Sequence, residues 1–292
     1  MTAYLTTKEL AELLRIKERK VYELAANGEI PCSRAMGKLL FPRDEVEAWI
    51  ASSSSGPTKG AARAPNRPNV VLGSHDPLLD WALRESRCGL ASYFDGSLDG
   101  LDRFGRGEGI AVGLHLLDVD SDTWNVADIK QRFAAEPVVL VEWAWRQRGL
   151  IMARGDSADV KGLGDIRGRR VVPRQPAAGS QRLFEHLAAQ IGVLDDIVAL
   201  EPARTESDAA LAVVESSADV AFGLQALADQ YRLDFVPIVK ERFDLMVDRR
   251  AWFEEQWQTF AAFWRSSAFA AKARSMLGYE VDSLGRVHFN GA

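Results

Sequence analysis

Cysteine is scarce: the 292 residues hold two, Cys32 and Cys88. So wide a spacing makes neither a metal pair nor a disulfide framework, and it suits a reducing compartment. Long apolar runs are missing too. No stretch approaches the roughly 18–20 residues that a membrane span needs. The opening MTAYLTTKEL has neither the basic nor the apolar region of a secretory signal, so a cytoplasmic location is expected. An excess of positive charge is also lacking: 36 Lys and Arg stand against 41 Asp and Glu, net −5. That excludes a chain that grips nucleic acid over its whole surface, and any DNA contact must be local. Neither a nucleophile–base pair nor a metal-ligand cluster is apparent, so no enzyme activity, metal or cofactor is expected. Ser74, His75 and Asp76 are adjacent in sequence and could not form a catalytic relay.

The length suits two or three domains. One composition shift divides the chain. SSSSGPTKGAARAPNRP, residues 52–68, is small, polar and without apolar period, and 53–68 is read as a linker. Residues 1–52 before it form a compact segment. In residues 69–292 short apolar strand-like runs alternate with amphipathic helical ones, which predicts an α/β domain with mainly parallel strands.

In the first segment, Thr6 and Glu9 have the spacing of a capping box. Leu10, Leu13 and Leu14 follow at helical spacing. Arg15-Ile16 makes a turn, and a second helix is predicted from about Lys17 to Asn27, closed by Asn27-Gly28. Two extended stretches around a Met36-Gly37-Lys38 turn read as a wing, and a last helix covers Asp44–Ile50. Helix, turn, helix, hairpin and helix make a winged helix-turn-helix whose second helix reads DNA. Lys17, Arg19 and Lys20 on that helix, with Arg34 and Lys38 on the wing, are the expected DNA-binding residues. Residues 1–43 carry eight Lys and Arg against five Glu, and the linker adds three more cations. Through Leu5-Thr6, Glu9-Leu10-Ala11, Val21-Tyr22, Gly28-Glu29-Ile30-Pro31, Gly37 and Asp44…Trp49-Ile50, the segment resembles the excisionase-type, MerR-related winged helix family.

The larger segment repeats one device: Gly/Ser turns where strands hand over to helices. They are Gly73-Ser74-His75-Asp76, Gly96-Ser97, Ala178-Gly179-Ser180-Gln181-Arg182 and Thr205-Glu206-Ser207-Asp208. A helix N-terminus offers free N–H groups and partial positive charge, and serine adds neutral donors. Several such ends aimed at one cleft make an anion site that needs few cations. Each serine could equally be a structural cap. His75 could donate to an anion, or cap and pack. Arg182 could bind the ligand bidentately or pair with Glu206. His115 and His186 read as structural. Trp252, Phe253, Trp257, Phe260, Phe263 and Trp264 read as lobe packing or, alternatively, as an aromatic face for dimerisation.

These turns, with Gly113–Asp118, Arg148-Gly149-Leu150, Arg174-Gln175, Asp234–Pro237 and Glu241–Leu245, resemble the type II periplasmic-binding-protein fold. Within it they are similar to the molybdate/tungstate-binding-like domains fused to helix-turn-helix regulators. The resemblance implies two lobes, 69–145 with 241–292 and 146–240, crossing near Trp143–Gly149 and Pro237–Phe243. It implies ligand donors from both lobes at Ser74, Ser97 and Ser180. Two departures stand out: Ala178-Gly179-Ser180-Gln181-Arg182 replaces the usual Gly-Ser-Gly-Thr-Arg, and Phe243 stands where the family often has Tyr. The candidate ligand residues are Ser74, His75, Ser97, Gly179, Ser180, Gln181, Arg182, Glu206, Ser207 and Phe243. The expected protein is a homo-oligomeric transcription regulator, a dimer in its simplest form. It binds duplex DNA and senses a small oxyanion, molybdate or tungstate by resemblance. The alternative is the same architecture sensing an organic acid or another small solute.

Overall fold

A computed structural model describes residues 4–35, 38–52 and 67–292. The chain divides into two compact units, Met1–Asn66 and Arg67–Ala292. The Met36-Gly37 part of the expected wing turn and residues 53–66 of the expected linker lie outside the described residues. Arg67, read as linker, is docked on the second unit. It donates to the carbonyls of Phe104 and Gly109, pairs with Asp248 at 3.2 Å and stacks on the Phe104 ring at 4.0 Å.

The first unit runs β1 (Tyr4–Leu5), α1 (Thr7–Leu14), α2 (Glu18–Ala26), β2 (Ser33–Ala35), β3 (Lys38–Pro42) and α3 (Arg43–Ser52). The capping box forms: Thr6 N donates to Glu9 Oε2 at 2.8 Å, and Glu9 N to Thr6 Oγ1 at 3.3 Å. Arg15, left-handed at φ 53°, ends α1 and turns the chain into α2. Leu10, Ala11, Val21, Ala25, Ile30, Phe41 and Val46 are buried together as the core. Strand β1 was not expected from sequence. It pairs with β3, giving the antiparallel order β1-β3-β2. Of the three leucines at helical spacing, Leu10 is buried and Leu13 is exposed.

The second unit begins with β4 (Val70–Gly73), α4 (Pro77–Glu85), β5 (Ala91–Phe94), α5 (Ser97–Gly105), β6 (Ala111–Leu114), β7 (Leu117–Asp118), β8 (Thr123–Trp124) and α6 (Val126–Phe133). The long strand β9 (Val138–Met152) leads to β10 (Arg170–Val172), α7 (Gly179–Gln190), β11 (Val198–Ala199), α8 (Glu206–Val214), β12 (Val220–Leu224) and α9 (Gln225–Gln230). A second long strand, β13 (Asp234–Asp248), returns to α10 (Glu255–Phe263), α11 (Ser267–Ser275), β14 (Tyr279–Glu280) and β15 (Val287–Asn290).

One mixed sheet joins both halves in the order β11-β10-β12-β9-β13-β6-β4-β5, with β14 and β15 also on β9. The outer strands β5-β4-β6 and β11-β10-β12 are parallel within each half. The antiparallel pair β9/β13 runs through both halves. The sheet is therefore mixed, because the two crossing strands meet β6 and β12 antiparallel. The stretches 143–149 and 237–243 lie inside these strands, and register shifts fall at Pro237/Val239 and Phe243/Asp244.

The aromatic residues of α10 mostly pack inward. Trp257 and Phe260 are fully buried, and Trp143 lies 5.9 Å from Phe260 and 5.7 Å from Trp264. Only Phe253 of the face proposed for dimerisation is strongly exposed. They are core of the first lobe, in a cluster that also holds α4 residues.

Helix α5 lies against β4 and β6 so closely that Gly100 has no room for a side chain. A Cβ there would stand 2.7 Å from Gly73 N and 2.8 Å from Val112 Cγ1. The neighbours are backbone and a core strand, so they have little freedom to yield. Gly100→Ala should cost about 2 kcal/mol or more by overpacking. A urea titration followed by tryptophan fluorescence checks this, and an unchanged midpoint would contradict the close approach.

Candidate functional site

Strand geometry puts alternate residues of β9 on one face, so Arg146 and Arg148 point the same way. Glu241 on β13 lies directly opposite Arg146. Its Oε1 accepts from Arg146 Nη2 at 2.5 Å and lies 2.8 Å from Arg148 Nη2, and its Oε2 meets His115 Nδ1 at 2.8 Å. Arg146 continues to Asp76 at 2.9 Å in one lobe. Arg148 holds Glu206 through two bonds of 3.1 Å in the other, and Arg174 Nη1 lies 3.4 Å from Glu206 Oε1. The result is a buried chain of alternating charge: Asp76, Arg146, Glu241, Arg148, Glu206, Arg174.

Burial opposes the charge of Arg146, Glu241, Arg148, Glu206 and Arg174, and their neighbours decide where each settles. Burial pushes the Glu206 carboxyl up, but Arg148 and Arg174 more than reverse it and hold it at about 2. Glu241 is likewise held well below the usual carboxylate range, because Arg146, Arg148 and His115 outweigh its burial. Burial lowers His115 more than Glu241 raises it, so its ring is neutral at pH 7. With Nδ1–H given to the ionised Glu241, Nε2 is left as an acceptor. Arg174 alone among the three arginines is pulled below its usual range, by burial that Glu206 offsets only in part.

A cavity of about 10 Å³, room for about one water, lies at the end of this chain, lined from both lobes. Ser74, His75, Phe94, Asp95, Gly96 and His115 line it from one side; Arg174, Ala178, Ser180 and Glu206 from the other. The lobes touch here. A Cβ on Gly96 would meet the Ala177 carbonyl at 2.9 Å, and one on Gly179 the His115 carbonyl at 2.7 Å. Four shielded polar atoms of the lining make no hydrogen bond: His75 Nδ1, Asp95 Oδ1, Arg174 Nη1 and Ser180 Oγ. Arg174 is nonetheless fixed in place, with Nε on the Ala203 carbonyl at 3.1 Å and Nη2 on the Arg204 carbonyl at 2.8 Å.

Two of the four expected helix starts are open towards this cavity. The first turns of α5 and α7, behind Gly96 and Ala178, have no side-chain cap. The other two are closed by acids. Asp76 caps α4, accepting from Leu79 N at 2.7 Å, and Thr205 with Asp208 boxes the start of α8. Ser74 and Ser97 are buried and bonded to each other at 2.7 Å.

Several expected ligand residues lie elsewhere. The Arg182 side chain is exposed on the outer face of α7, because Gln181 and Leu183 take the buried positions; Arg174 supplies the guanidinium instead. Gln181 is spent on structure, accepting from Arg174 N at 2.8 Å and donating to Glu185 at 2.9 Å. Ser207 is half-buried and not in the lining. Phe243 lies in the core, stacked on the His115 ring at 5.8 Å and under Arg146 at 4.4 Å, a place where a hydroxyl would have no use. Gly179 contributes through its lack of a side chain. His115, read as structural, lines the cavity. Arg146, Arg148 and Glu241 were missed as site residues, although arginines two apart in a largely apolar strand are a signal, since buried charges demand partners.

In the first unit, Lys17, Arg19, Lys20 and Lys38 are exposed, and Lys20 pairs with Glu23 at 2.7 Å. Arg34 lies on β2, and its side chain is outside the described residues. The positive balance counted to residue 43 is cancelled by Asp44, Glu45 and Glu47 on α3.

The low value of Glu206 has a stability consequence. Being more acidic folded than unfolded, it stabilises the fold fully above its ordinary value of 4.5, and that contribution is lost as pH falls towards about 2. Asp244 works in the opposite sense. Burial raises it to about 6, so it costs stability above that pH and ceases to below its ordinary 3.8. Glu206→Gln should be about 3 kcal/mol less stable at pH 7, since it strips buried guanidinium groups of a partner. The gap to the wild type should close as pH falls from 4.5 towards 2. Thermal melts across that range check both points; a constant gap would contradict the ionised pairing.

A helix-turn-helix domain model matches residues 4–54, and a PBP superfamily domain model matches residues 81–265. The uncharacterized protein YvgK of Bacillus subtilis (strain 168) is 24% identical over 303 residues, covering 98% of each chain. A Clostridium perfringens substrate-binding protein assigned to phosphate ABC transport, solved with bound phosphate, superposes with a TM-score of 0.52 at 13% identity. The match covers 71% of this chain and 96% of that one. Peb3 from Campylobacter jejuni gives 0.48 at 14% identity, over 72% and 98%. The helix-turn-helix points to DNA binding, and the second unit to binding of a small ligand. With a match over more than half of its length, the chain belongs to the PBP superfamily and carries a helix-turn-helix domain at its N-terminal end.

Proposed function

We propose that the protein is a cytosolic, ligand-responsive transcription regulator that binds duplex DNA through its first unit and one small anion in the cleft of its second. The observation that carries the second half is the state of Arg174 and Ser180. Each is buried and fixed on the cavity wall, each has a polar atom without a hydrogen bond, and each lies by the open start of α7. A group that accepts hydrogen bonds and carries negative charge completes them. The cavity, with room for about one water, is too tight for such a group as it stands, so entry requires the lobes to part. Opening and closing of this kind is a familiar way to transmit occupancy.

Two features bear on the identity of the anion. The neutral hydroxyls of Ser74 and Ser180 in the lining suit a tetrahedral oxyanion, and the family resemblance makes molybdate or tungstate a candidate. The Asp95 carboxylate in the same lining suits a ligand with a donor, among which are phosphate-like and organic acids. Binding of phosphate by the Clostridium perfringens neighbour is in line with the oxyanion class. Two copies on a two-fold DNA site are part of the proposal, because a module of this size reads few base pairs.

Arg174→Ala and Ser180→Ala should each weaken anion binding about tenfold or more, the loss of one charge-assisted hydrogen bond. Calorimetry with phosphate, sulfate, molybdate and small carboxylates reads this, and equal affinity in both variants would sink the cleft assignment. For DNA, replacing Arg19 and Lys20 together with Ala should weaken binding and flatten its dependence on salt. Unchanged affinity and slope in gel-shift titrations would remove α2 from the interface.

A further inference from the structure

The two crossing strands are not the whole joint between the lobes. After α11 the chain leaves the first-lobe core at Met276, runs along β9 as β14, and returns to that core at Val281 and Leu284. On the way it reaches the second lobe. Gly278 turns at φ +80°, and its carbonyl accepts from Gln147 N on β9 at 2.7 Å. A Cβ there would stand 2.8 Å from Gln225 Oε1 and 3.0 Å from Gln225 Cβ, and Gln225 opens α9 of the second lobe. Glycine is thus called for twice, by the backbone angle and by the close approach.

Tyr279 goes further. Its ring packs against the first-lobe core and also against the second-lobe core that holds Leu224, Leu227 and Ala228. Its hydroxyl donates to Asp76 Oδ2 at 2.5 Å, so a buried carboxylate of the first lobe fixes where the ring points. The next residue, Glu280, pairs with Lys240 at 2.5 Å, but both are half exposed and the pair adds little. A ring held by one lobe and seated on the other loses apolar contact when the lobes part.

Taking further the reading of the cleft as a ligand site that must open, we propose that Gly278–Glu280 is a strap between the lobes, with Tyr279 as its peg, and that it holds the cleft shut without ligand. The strap is rooted in the first lobe on both sides, so it does not travel with the second. Parting requires the Tyr279 ring to leave its seat. Uncovering part of an aromatic ring shifts the closed-to-open ratio about tenfold. The strap therefore acts on a ligand in two opposed ways. It slows entry, which needs the open form, and it tightens retention, which needs the closed one. Were the ring only packing for its own lobe, its loss would loosen that lobe throughout and the cleft no more than the interior.

Hydrogen exchange on the full, ligand-free chain separates these cases, because local opening and global unfolding protect different amides. Tyr279→Ala should speed exchange about tenfold in residues 95–101 and 178–183, which face each other across the cleft, and leave the interior strands β4 and β10 as protected as before. Tyr279→Phe keeps the ring, and Asp76 keeps its other donors, so it should stay within about threefold of the wild type. Gln225→Ala removes the seat while leaving the strap intact. It should speed the same two segments about threefold, and it decides the matter if Tyr279→Ala does not fold. Unchanged exchange at the cleft segments, or equal acceleration there and in β4 and β10, would overturn the strap. Inorganic phosphate added to the wild type reads the cleft separately. No slowing at these segments would count against the anion site and leave the strap standing on the ligand-free result.

Discussion

Six buried ionic groups, alternating in sign along β9, β13 and three strand-to-helix turns, are the constraint on which the second unit depends. Asp76, Arg146, Glu241, Arg148, Glu206 and Arg174 run from one lobe through the crossing strands into the other. Taking each from water costs several kcal/mol, and each is tolerated only while its neighbours stay in place. Asp76 shows how fully this is met, for its two oxygens accept from Leu79 N, Trp143 Nε1, Arg146 and the Tyr279 hydroxyl. The chain of charge therefore fixes α4, the first-lobe aromatic core and the crossing strands in one arrangement.

Arg146 and Arg148 each leave Nε without a hydrogen bond, but of the six it is Arg174 whose unmet atom belongs to the cavity lining. Arg174 meets Glu206 at 3.4 Å without a hydrogen bond, while backbone carbonyls hold the rest of its guanidinium still. A positive group that is positioned but incompletely answered is what an anion-binding wall requires, and here it comes from the end of a balanced series rather than from an isolated cation. The same series explains which helix starts are open. The charges of Asp76 and Glu206 are taken up inside the protein at the starts of α4 and α8, whereas α5 and α7 begin with Gly and Ser against the cavity. Division of labour among four similar turns follows from where the arginines of β9 reach.

The first unit is held by simpler means. A capping box, a left-handed Arg15 and seven buried apolar residues make a core small enough that the antiparallel β1-β3-β2 sheet matters to it. Its charges lie on the surface, where they are solvated and impose no such arrangement on the fold.

The sequence by itself determined the local events. The Thr6–Glu9 box, the helix starts at Ser97 and Gly179, and the two-unit division could be read because caps, turns and apolar periods act over a few residues. It also singled out Ser74, His75, Ser180 and Glu206, which line one cavity, since each belongs to a turn between strand and helix. Tertiary structure alone decided what those turns do. Arg182 and Arg174 are both arginines beside the same Gly-Ser turn; the face that α7 turns outward exposes the first, and the Ala203 and Arg204 carbonyls hold the second on the cavity wall. Strand β1 pairs with a partner more than thirty residues away, and Arg146 reaches Asp76 and Glu241 across 70 and 95 residues. Charge pairing at such separation has no local pattern, because it is selected by the shared burial of groups that the folded chain brings together.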